Sequence, residues 1–319
     1  MKLAPFFFVT LCSAASVLKR ASTTEKATIG FAILDGGTSG GGTATPITVS
    51  TLQDLRTAVQ GDGAKVVLIE GVISGSEMVD IGGNTTVIGK SGARLEGVGL
   101  RINATENISK VLAETGDAIR TISSSRVWID HMDLSSDTDN DRDYYGGLIY
   151  VAKGTAGISI TYCYLHDHWK ASLAGLSDTQ TEEGKVMWAY NKWERLNLRV
   201  PTVRWGIYHV FCNYYIDNSG SITVGTGSDI FVESNVFESM YNPVTLSGGT
   251  LRARDNIGYT PPGGTVYPEY GYVYFPGASS GVKELVNGNA GATPNPGIEI
   301  SFMPHDCKLS SGMKQGNSE

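Results

Sequence analysis

The sequence has 319 residues, which is long enough to bury a sizeable core in one elongated domain. Its 40 glycines and its charged fraction of 18% favour strands and turns over a helical bundle. The net charge of −7 argues against nucleic acid as a partner, although a local basic cleft can still bind an anion. No run of about eighteen apolar residues occurs, so we expect no transmembrane helix and no membrane partner.

Residues 1–20 have the pattern of a secretory signal with a short pro-segment. An early lysine precedes the largely apolar residues 3–11, and small residues at 13–16 offer a cleavage region. The pair Lys19 and Arg20 suits a dibasic processing step. We therefore expect a secreted, extracellular protein, and the alternative for this segment is a buried N-terminal strand.

Glycosylation sequons and cysteines add little to this interpretation. Three Asn-x-Ser/Thr sequons are candidates for N-glycosylation in a secreted protein. They begin at Asn84, Asn103 and Asn107. Beyond the signal segment the cysteines are odd in number and irregular in spacing, which predicts neither a disulfide framework nor a zinc site. They are Cys163, Cys212 and Cys307.

The stretch 52–59 has the clearest helical periodicity early in the chain. Leu52, Leu55 and Val59 fall on one face of a helix over these residues. We expect this helix to cap the N-terminal end of the repeat array that follows it in the chain.

A repeat with a period near 22 residues runs through the second half of the chain. Short β-rich segments each carry one asparagine in the same place, and the first three carry a large aromatic residue two positions later. The asparagines are Asn191, Asn213, Asn235 and Asn256. The aromatic residues are Trp193, Tyr215 and Phe237. Upstream, Cys163 and Met132 take the asparagine position, and Leu165 and Leu134 take the aromatic one.

This period predicts an all-β, single-domain right-handed parallel β-helix with about 22 residues per coil and an N-terminal helical cap. Equivalent residues would stack about 4.8 Å apart, so that the asparagines form a hydrogen-bonded ladder beside stacked core aromatics. Leucine-rich repeats are excluded because leucines do not recur at fixed offsets. We expect this domain to span residues 21–300, with the chain after Tyr259 as a cover. Residues 301–319 form a polar, aperiodic tail that we expect to be disordered.

Three basic residues follow from the repeat register as candidates for an anion site. Lys170 lies seven residues past its coil marker Cys163, whereas Arg199 and Arg204 lie eight and thirteen past Asn191. In register, Lys170 and Arg199 would occupy neighbouring coils of one face. The two coils that start at 132 and 163 are longer than 22 residues, and their insertions would form cleft walls. The alternative is an ordinary solvated face.

Several motifs in this frame resemble the fungal branch of the pectate lyase family, polysaccharide lyase family 1. They are VWIDHMDLSSD, LHDHWKASLAG, LRVPTVRWG and VESNVFES, with GFAILDGGTSGGG and KVLAETGDAI nearer the N-terminus. The resemblance covers roughly residues 29–290. It implies a secreted, monomeric pectate lyase that cleaves polygalacturonate by β-elimination with Ca²⁺ as cofactor.

The resemblance also implies roles for individual residues. Arg199 matches the arginine that abstracts the proton, and Lys170 and Arg204 match the residues that bind substrate carboxylates. Asp117 matches one calcium-ligating aspartate. The C5 proton of galacturonate lies α to a carboxylate, so its removal needs cations beside the growing charge. Because arginine is a poor base, we expect activity to favour alkaline pH.

The calcium half of this site departs from the family pattern. Where the family supplies two more acids, the stretch DYYGGLIYV has Gly146 and Tyr150. Three aspartates in the preceding loop would partly compensate, or they form a solvated acidic turn. They are Asp139, Asp141 and Asp143. The segment LRINATENISKVL is also about seven residues shorter than the family's path, at a place where a strand of one coil should run just before Asp117.

Two alternatives to a calcium-dependent lyase follow from these departures. One is a non-catalytic polygalacturonate-binding relative with a degraded calcium site. The other is a calcium-independent lyase that prefers methylated pectin, in which a neutral ester needs less cationic help.

Two other residue pairs suggest different chemistry. His166 and His168 could bind zinc, but no third ligand lies at suitable spacing, which favours structural or substrate-contact roles. Asp130 and Asp133 could act as a glycosidase pair. The Asp130-His131 context fits a structural turn better, and the NTD and GHG motifs of polygalacturonases do not occur.

Overall fold

The structure is a computed structural model, and it describes four ranges of the chain. They are residues 22–109, 117–261, 268–292 and 298–301, with backbone only for 107–109 and 298–301. The predicted signal segment 1–20 and residues 302–319 of the predicted tail lie outside these ranges.

Strands account for nearly all the regular structure of the described ranges. In chain order they are β1 Pro46–Val49, β2 Lys65–Ile69, β3 Val72–Ile81, β4 Thr85–Gly89, β5 Arg94–Asn103, β6 Glu106–Ser109, β7 Ile119–Ile122, β8 Ser125–Asp130, β9 Met132–Ser135, β10 Ile149–Ala152, β11 Ala156–Thr161, β12 Tyr164–Lys170, β13 Ser172–Ala174, β14 Gly184–Ala189, β15 Lys192–Leu198, β16 Thr202–Val203, β17 Gly206–Phe211, β18 Tyr214–Ile216, β19 Ile222–Val224, β20 Ser228–Glu233, β21 Val236–Glu238, β22 Val244–Leu246, β23 Thr250–Arg254 and β24 Ile298–Ser301. The helices are α1 Leu52–Val59 and α2 Val282–Asn289, with short 3-10 turns at Phe31–Ile33 and Ser279–Gly281. None of the helices in these ranges is long and apolar enough to span a membrane.

Every strand pair is parallel, and successive coils add one strand to each sheet. One sheet has ten strands in the order β1-β2-β4-β6-β8-β11-β14-β17-β20-β23. The other has fourteen strands and consists of two columns joined by the long strand β5. One column runs β21-β18-β15-β12-β9-β24-β5, and the other runs β5-β7-β10-β13-β16-β19-β22, while β3 also pairs with β5. This winding confirms the predicted parallel β-helix.

The predicted asparagine ladder is present and buried. The backbone N–H of Asn191 donates to Oδ1 of Asn213 at 3.0 Å, and that of Asn213 donates to Oδ1 of Asn235 at 2.9 Å. Asn235 continues to Asn256 at 3.0 Å. At the other end the N–H of Cys163 donates to Oδ1 of Asn191 at 2.8 Å, so Cys163 occupies the asparagine position as expected. Each side chain thus satisfies a turn backbone that would otherwise be buried without a partner.

The core beside the ladder follows the same register. The rings of Trp193 and Tyr215 stack with centroids 5.5 Å apart, and those of Tyr215 and Phe237 with centroids 4.7 Å apart. Trp193 itself pairs with Leu165, the residue expected in the aromatic position one coil earlier. These side chains are buried, and close stacking along the axis makes the core continuous from coil to coil.

Helix α1 begins at Leu52 and ends at Val59, as predicted. The hydroxyl of Thr51 caps its N-terminus by accepting from the N–H of Asp54. Leu55 and Val59 are completely buried against the first coils. The apolar stripe of the helix therefore covers the N-terminal end of the solenoid, where the open coil would otherwise expose its core.

A second cover lies on the outer face of the ten-stranded sheet. Tyr270 and Tyr272, from the segment after Tyr259, pack edge-on against Phe31 with centroids 5.5 and 5.2 Å away. Beneath them His209 is fully buried, and its Nδ1 lies 2.7 Å from the hydroxyl of Tyr272. The segment after Tyr259 thus packs against an N-terminal residue over one sheet, as expected for a cover.

Strand β24 fills a gap in one column of the second sheet. In the first sheet β6 lies between β4 and β8. The coil that contains β6 should therefore also contribute a strand to the second sheet, between β5 and β9. That place belongs to the shortened segment before Asp117, and β24 lies there instead. Ile300 pairs with Leu95 of β5 on one side and with Leu134 of β9 on the other. The predicted domain end at residue 300 therefore falls inside a strand.

Loss of one ladder amide should destabilise the protein according to its position. Asn213→Ala removes acceptors for Asn191 and leaves buried carbonyls of β14 and β17 without a donor. We expect it to lower the free energy of unfolding by about 2–4 kcal/mol, measured by urea denaturation. Asn256→Ala, at the half-buried end of the ladder, should cost about 1 kcal/mol. An equal loss of unfolding free energy in both variants would contradict a ladder that stabilises mainly the interior coils.

Interruption of β24 should also destabilise the coil array. Ile300→Pro removes a backbone donor from the interior of a strand that is paired on both sides, and should lower the free energy of unfolding by about 1–3 kcal/mol. Ile300→Val keeps the donor and serves as control. Stability that is equal in both variants would show that β24 does not pair with β5 and β9.

Candidate functional site

The coil register brings the three predicted basic residues to one face. Lys170 ends β12 and pairs with Leu198, the residue before Arg199. The N–H of Ser172 donates to the carbonyl of Arg199 at 2.7 Å. Arg204 follows the two-residue strand β16, and its own N–H donates to Ala174 at 2.8 Å. The predicted arrangement of Lys170 and Arg199 on neighbouring coils is thus observed, with Arg204 on the same coil as Arg199.

Lys170 and Arg204 are each paired with an exposed carboxylate. Nζ of Lys170 lies 3.2 Å from Oδ1 of Asp143, and Nε of Arg204 lies 3.0 Å from Oδ1 of Asp178. Lys170 is only 13% exposed, whereas the side chain of Asp143 is 71% exposed. Hydrogen bonding to Lys170 lowers the pKa of Asp143. An ion pair with one solvated partner is weak, so another carboxylate can replace the aspartate at little cost.

Arg199 is half-buried and differs from both neighbours. Its guanidinium makes no hydrogen bond or ion pair to any residue in the described ranges. Burial lowers the pKa of Arg199, the field of Asp117 opposes that shift, and the positive charge of Arg204 adds to it. The backbone of Arg199 is left-handed, with φ of 59°, a conformation that is strained for a residue with Cβ. An arginine without a partner among the described residues can bind an anion from outside the protein.

Two glycines shape the place of Arg204, and sequence reasoning missed both. Gly175 has φ of 87°, and a Cβ there would lie 2.4 Å from the backbone oxygen of Arg204. A Cβ on Gly225 would lie 2.9 Å from Cγ of Arg204. The arginine stem thus passes between two positions that tolerate only hydrogen. The glycines in these motifs carry no signal of this role until the coils are stacked.

Asp117, the predicted calcium ligand, is buried and fully engaged by the protein. Its Oδ1 accepts from the N–H of Gly147 at 2.7 Å, and its Oδ2 accepts from Nε of Arg120 at 2.7 Å. A Cβ on Gly147 would lie 3.3 Å from Oδ1 of Asp117 and 3.2 Å from the backbone oxygen of Lys170, so Asp117 lies close to the coil of Lys170. Arg120 was not predicted; the only sequence signal is its position three residues after Asp117.

Gly146 and Tyr150 stand at the two positions where the family pattern has acidic calcium ligands. The carbonyl of Gly146 accepts from Nε2 of His168 at 3.0 Å. The ring of Tyr150 lies under Arg120, with the guanidinium carbon 5.0 Å from its centroid. The loop aspartates make local contacts: Asp143 pairs with Lys170, Asp141 accepts from the N–H of Asp143, and the N–H of Asp139 donates to Asp137 at 3.2 Å.

The two histidines of β12 have structural contacts. His168 is buried, and burial lowers its pKa to about 4, so the ring is neutral and donates through Nε2 while Nδ1 accepts from Ser136. His166 lies between Asp133 and Asp167, 2.8 and 2.6 Å away. Within the described ranges, no three His, Cys, Asp or Glu side chains are placed to hold a metal ion.

Asp130 ends β8, directly before the left-handed turn residue His131. One of its oxygens is 2.7 Å from Nδ1 of His131, and the other accepts from the hydroxyl of Thr161 at 2.5 Å. The carboxylate of Asp133 contacts Nε2 of His166. The two carboxylates therefore serve separate structural contacts rather than a shared substrate position.

The fold and the site together define a β-helix that carries a cluster of basic residues on one face, an arrangement suited to an acidic polymer. Comparison with known proteins agrees with this class. A family model described as pectate lyase matches residues 7–260. The chain belongs to the pectate lyase family and is a polysaccharide lyase.

Fungal relatives resemble most of the chain. Pectate lyase A of Aspergillus niger is 40% identical over 301 residues, which cover 88% of this chain and 92% of that protein. Pectate lyase A of Emericella nidulans is 40% identical over 86% of this chain and 89% of that protein. Pectate lyase B of Colletotrichum gloeosporioides is 38% identical over 87% of this chain and 89% of that protein.

Solved structures share the fold. A pectate lyase from Bacillus sp. N165 in complex with trigalacturonate superposes with a TM-score of 0.72 at 24% identity, covering 83% of this chain and 98% of that one. A thermostable pectate lyase also gives a TM-score of 0.72, at 18% identity, covering 86% of this chain and 100% of that one. At these identities the likeness bears on the fold alone.

Proposed function

We propose that the protein cleaves unesterified (1→4)-α-D-galacturonan by β-elimination and that Arg199 removes the proton. The observation that carries this assignment is the unpaired, half-buried guanidinium of Arg199 on a face that also holds Lys170 and Arg204. Membership of the pectate lyase family supplies the substrate class. The clustered cations favour a free carboxylate over the neutral methyl ester of pectin.

In the proposed reaction, a base removes the proton from C5 of a galacturonate residue. The electron pair forms the C4–C5 double bond as the C4–O bond breaks, and the departing oxygen takes up a proton. Negative charge grows on the C6 carboxylate in the transition state. Lys170 and Arg204 would bind this carboxylate and its neighbour in place of Asp143 and Asp178, so the stabilising charges are in position before the reaction.

Arg199 suits the role of base for two physical reasons. Burial and the charge of Arg204 lower its pKa, which increases the small fraction of neutral guanidine at a given pH. It also has no competing carboxylate among the described residues, unlike Lys170 and Arg204. A guanidine that formed an ion pair would hold its proton more firmly.

Pectate lyases generally depend on calcium, but the described residues do not fit that ion at Asp117. Calcium takes six to eight oxygen ligands, several of them carboxylates. Both oxygens of Asp117 already accept hydrogen bonds, one of them from a cation, and Gly146 and Tyr150 replace the other expected acids. We therefore assign stabilisation of the developing charge to the basic residues of this chain.

Secretion and monomeric action on the plant cell wall belong to the same proposal. The relatives are fungal pectate lyases, and residues 1–20 have the composition of a signal. Among the sequons, Asn103 is exposed and available for a glycan, whereas Nδ2 of Asn84 donates to Asp62 at 3.0 Å. The side chain of Asn107 lies outside the described residues. Cys163 and Cys212 are buried, and neither forms a disulfide within the described ranges.

Substitution of the base should abolish turnover without unfolding the protein. Arg199→Ala should lower kcat on polygalacturonate at least about a hundredfold, followed by the ultraviolet absorbance of the unsaturated product. Arg195→Ala is the matched control, because Arg195 is also left-handed, with φ of 51°, but is exposed and paired with Asp167. Circular dichroism should show that both variants fold. Full activity of Arg199→Ala would rule out this base.

The pH dependence should report the protonation of Arg199. Only the deprotonated guanidine accepts a proton, and its fraction rises about tenfold for each pH unit below the pKa. Because burial lowers that pKa, kcat/KM on polygalacturonate should climb steadily through the alkaline range. A profile that stays flat into acid would contradict an arginine base.

A further inference from the structure

Arg120 places a fixed cation on the cleft side of β7. It pairs in register with Tyr150 of β10, and its guanidinium lies over the ring of that tyrosine. Nε and Nη2 both lie 2.7 Å from Oδ2 of Asp117. The side chain is 34% exposed, so Arg120 is held by Asp117 and still reaches solvent.

The contacts of Arg120 leave part of its hydrogen-bonding capacity unused. Asp117 offers it only one oxygen, because the other accepts from Gly147. No residue in the described ranges accepts a hydrogen bond from Nη1 of Arg120. Arg101, its neighbour in register on β5, uses Nε and Nη2 on two separate oxygens of Asp80, 2.6 and 2.7 Å away. Arg120 is therefore oriented by its partner and still able to bind a second anion.

Tyr150 connects this cation to the basic cleft. Burial raises the pKa of Tyr150, so that its hydroxyl stays protonated, and the charges of Asp117, Arg120 and Arg199 all act on that group. In the second sheet β7, β10, β13 and β16 are consecutive neighbours. Arg120 is thus three coils, or about 14 Å, from the coil that carries Arg199. The positive face extends along the axis of the solenoid.

We propose that Arg120 binds a carboxylate of the galacturonate chain at this end of the cleft and supplies the positive charge there, so that the protein uses its polysaccharide without calcium. The inference rests on the proposed function and identifies a further substrate-binding residue for it. Asp117 then acts as a positioning residue that orients the guanidinium. Arginine suits this task because its planar fork matches a carboxylate and it is less strongly hydrated than an ammonium ion.

Binding measurements on matched variants test the role of Arg120. In an Arg199→Ala background, which prevents turnover, calorimetric titration with hexagalacturonate in chelator should give a Kd at least about tenfold weaker for Arg120→Gln. Arg101→Gln, one coil away, should change the Kd less than threefold. Equal effects of the two substitutions would overturn the proposal, because Arg120 would then act only as general surface charge.

The Asp117→Asn variant distinguishes carboxylate binding by Arg120 from calcium binding by Asp117. The amide oxygen can still accept from Gly147, while the competing anion beside Arg120 is removed. Hexagalacturonate binding in chelator should be retained or tightened. If calcium acts through Asp117, the unsubstituted protein should lose turnover when a chelator is added. The Asp117→Asn variant should then lose turnover even in the presence of calcium. Either result would overturn the proposal. Calorimetry with calcium alone should show no binding at this residue.

A double variant serves as control for the folding of Arg120→Gln. Arg120→Gln leaves Asp117 as a buried, unpaired charge, so if that variant fails to fold, Asp117→Asn/Arg120→Gln removes both charges and should show the same weakened binding. Failure of the proposed function gives a different pattern. In that case the unsubstituted protein would form no unsaturated product with or without calcium, while the dependence of hexagalacturonate binding on Arg120 would remain.

Discussion

The rung-to-rung register of the coils is the constraint on which the rest of the structure depends. A buried row of asparagine amides fixes this register, since each side chain satisfies the turn backbone of a neighbouring coil. A shift of one residue would turn every inward side chain outward. The same register sets the stacked aromatic core from Trp193 to Phe237 and places cleft residues that are distant in sequence about 4.8 Å apart along the axis.

This fixed spacing holds several positive charges close together on one face of the coils. Lys170, Arg204 and Arg120 each have a carboxylate partner, which lowers the cost of crowding cations before substrate arrives. Arg199 has none among the described residues, and its strained backbone is held by flanking β-strands.

Features with a local or periodic signal could be predicted from the sequence. The 22-residue asparagine spacing gave the parallel β-helix, the Leu52–Val59 periodicity gave α1, and counting from Cys163 and Asn191 brought Lys170 beside Arg199. Contacts that depend on tertiary packing could not be predicted. The Asp117–Arg120 pair, the glycines around Arg204 and the insertion of β24 between β5 and β9 join segments with no repeating signal, and the last spans more than half the chain.

The proposed reaction depends on a lowered pKa of Arg199. Heteronuclear magnetic resonance titration of the arginine side chains measures this directly, with Arg195 as internal reference because its ion pair with Asp167 raises its pKa. The account predicts that the pKa of Arg199 lies below the ordinary arginine value and well below that of Arg195. An Arg199 that keeps its proton as far into alkali as Arg195 would contradict the account.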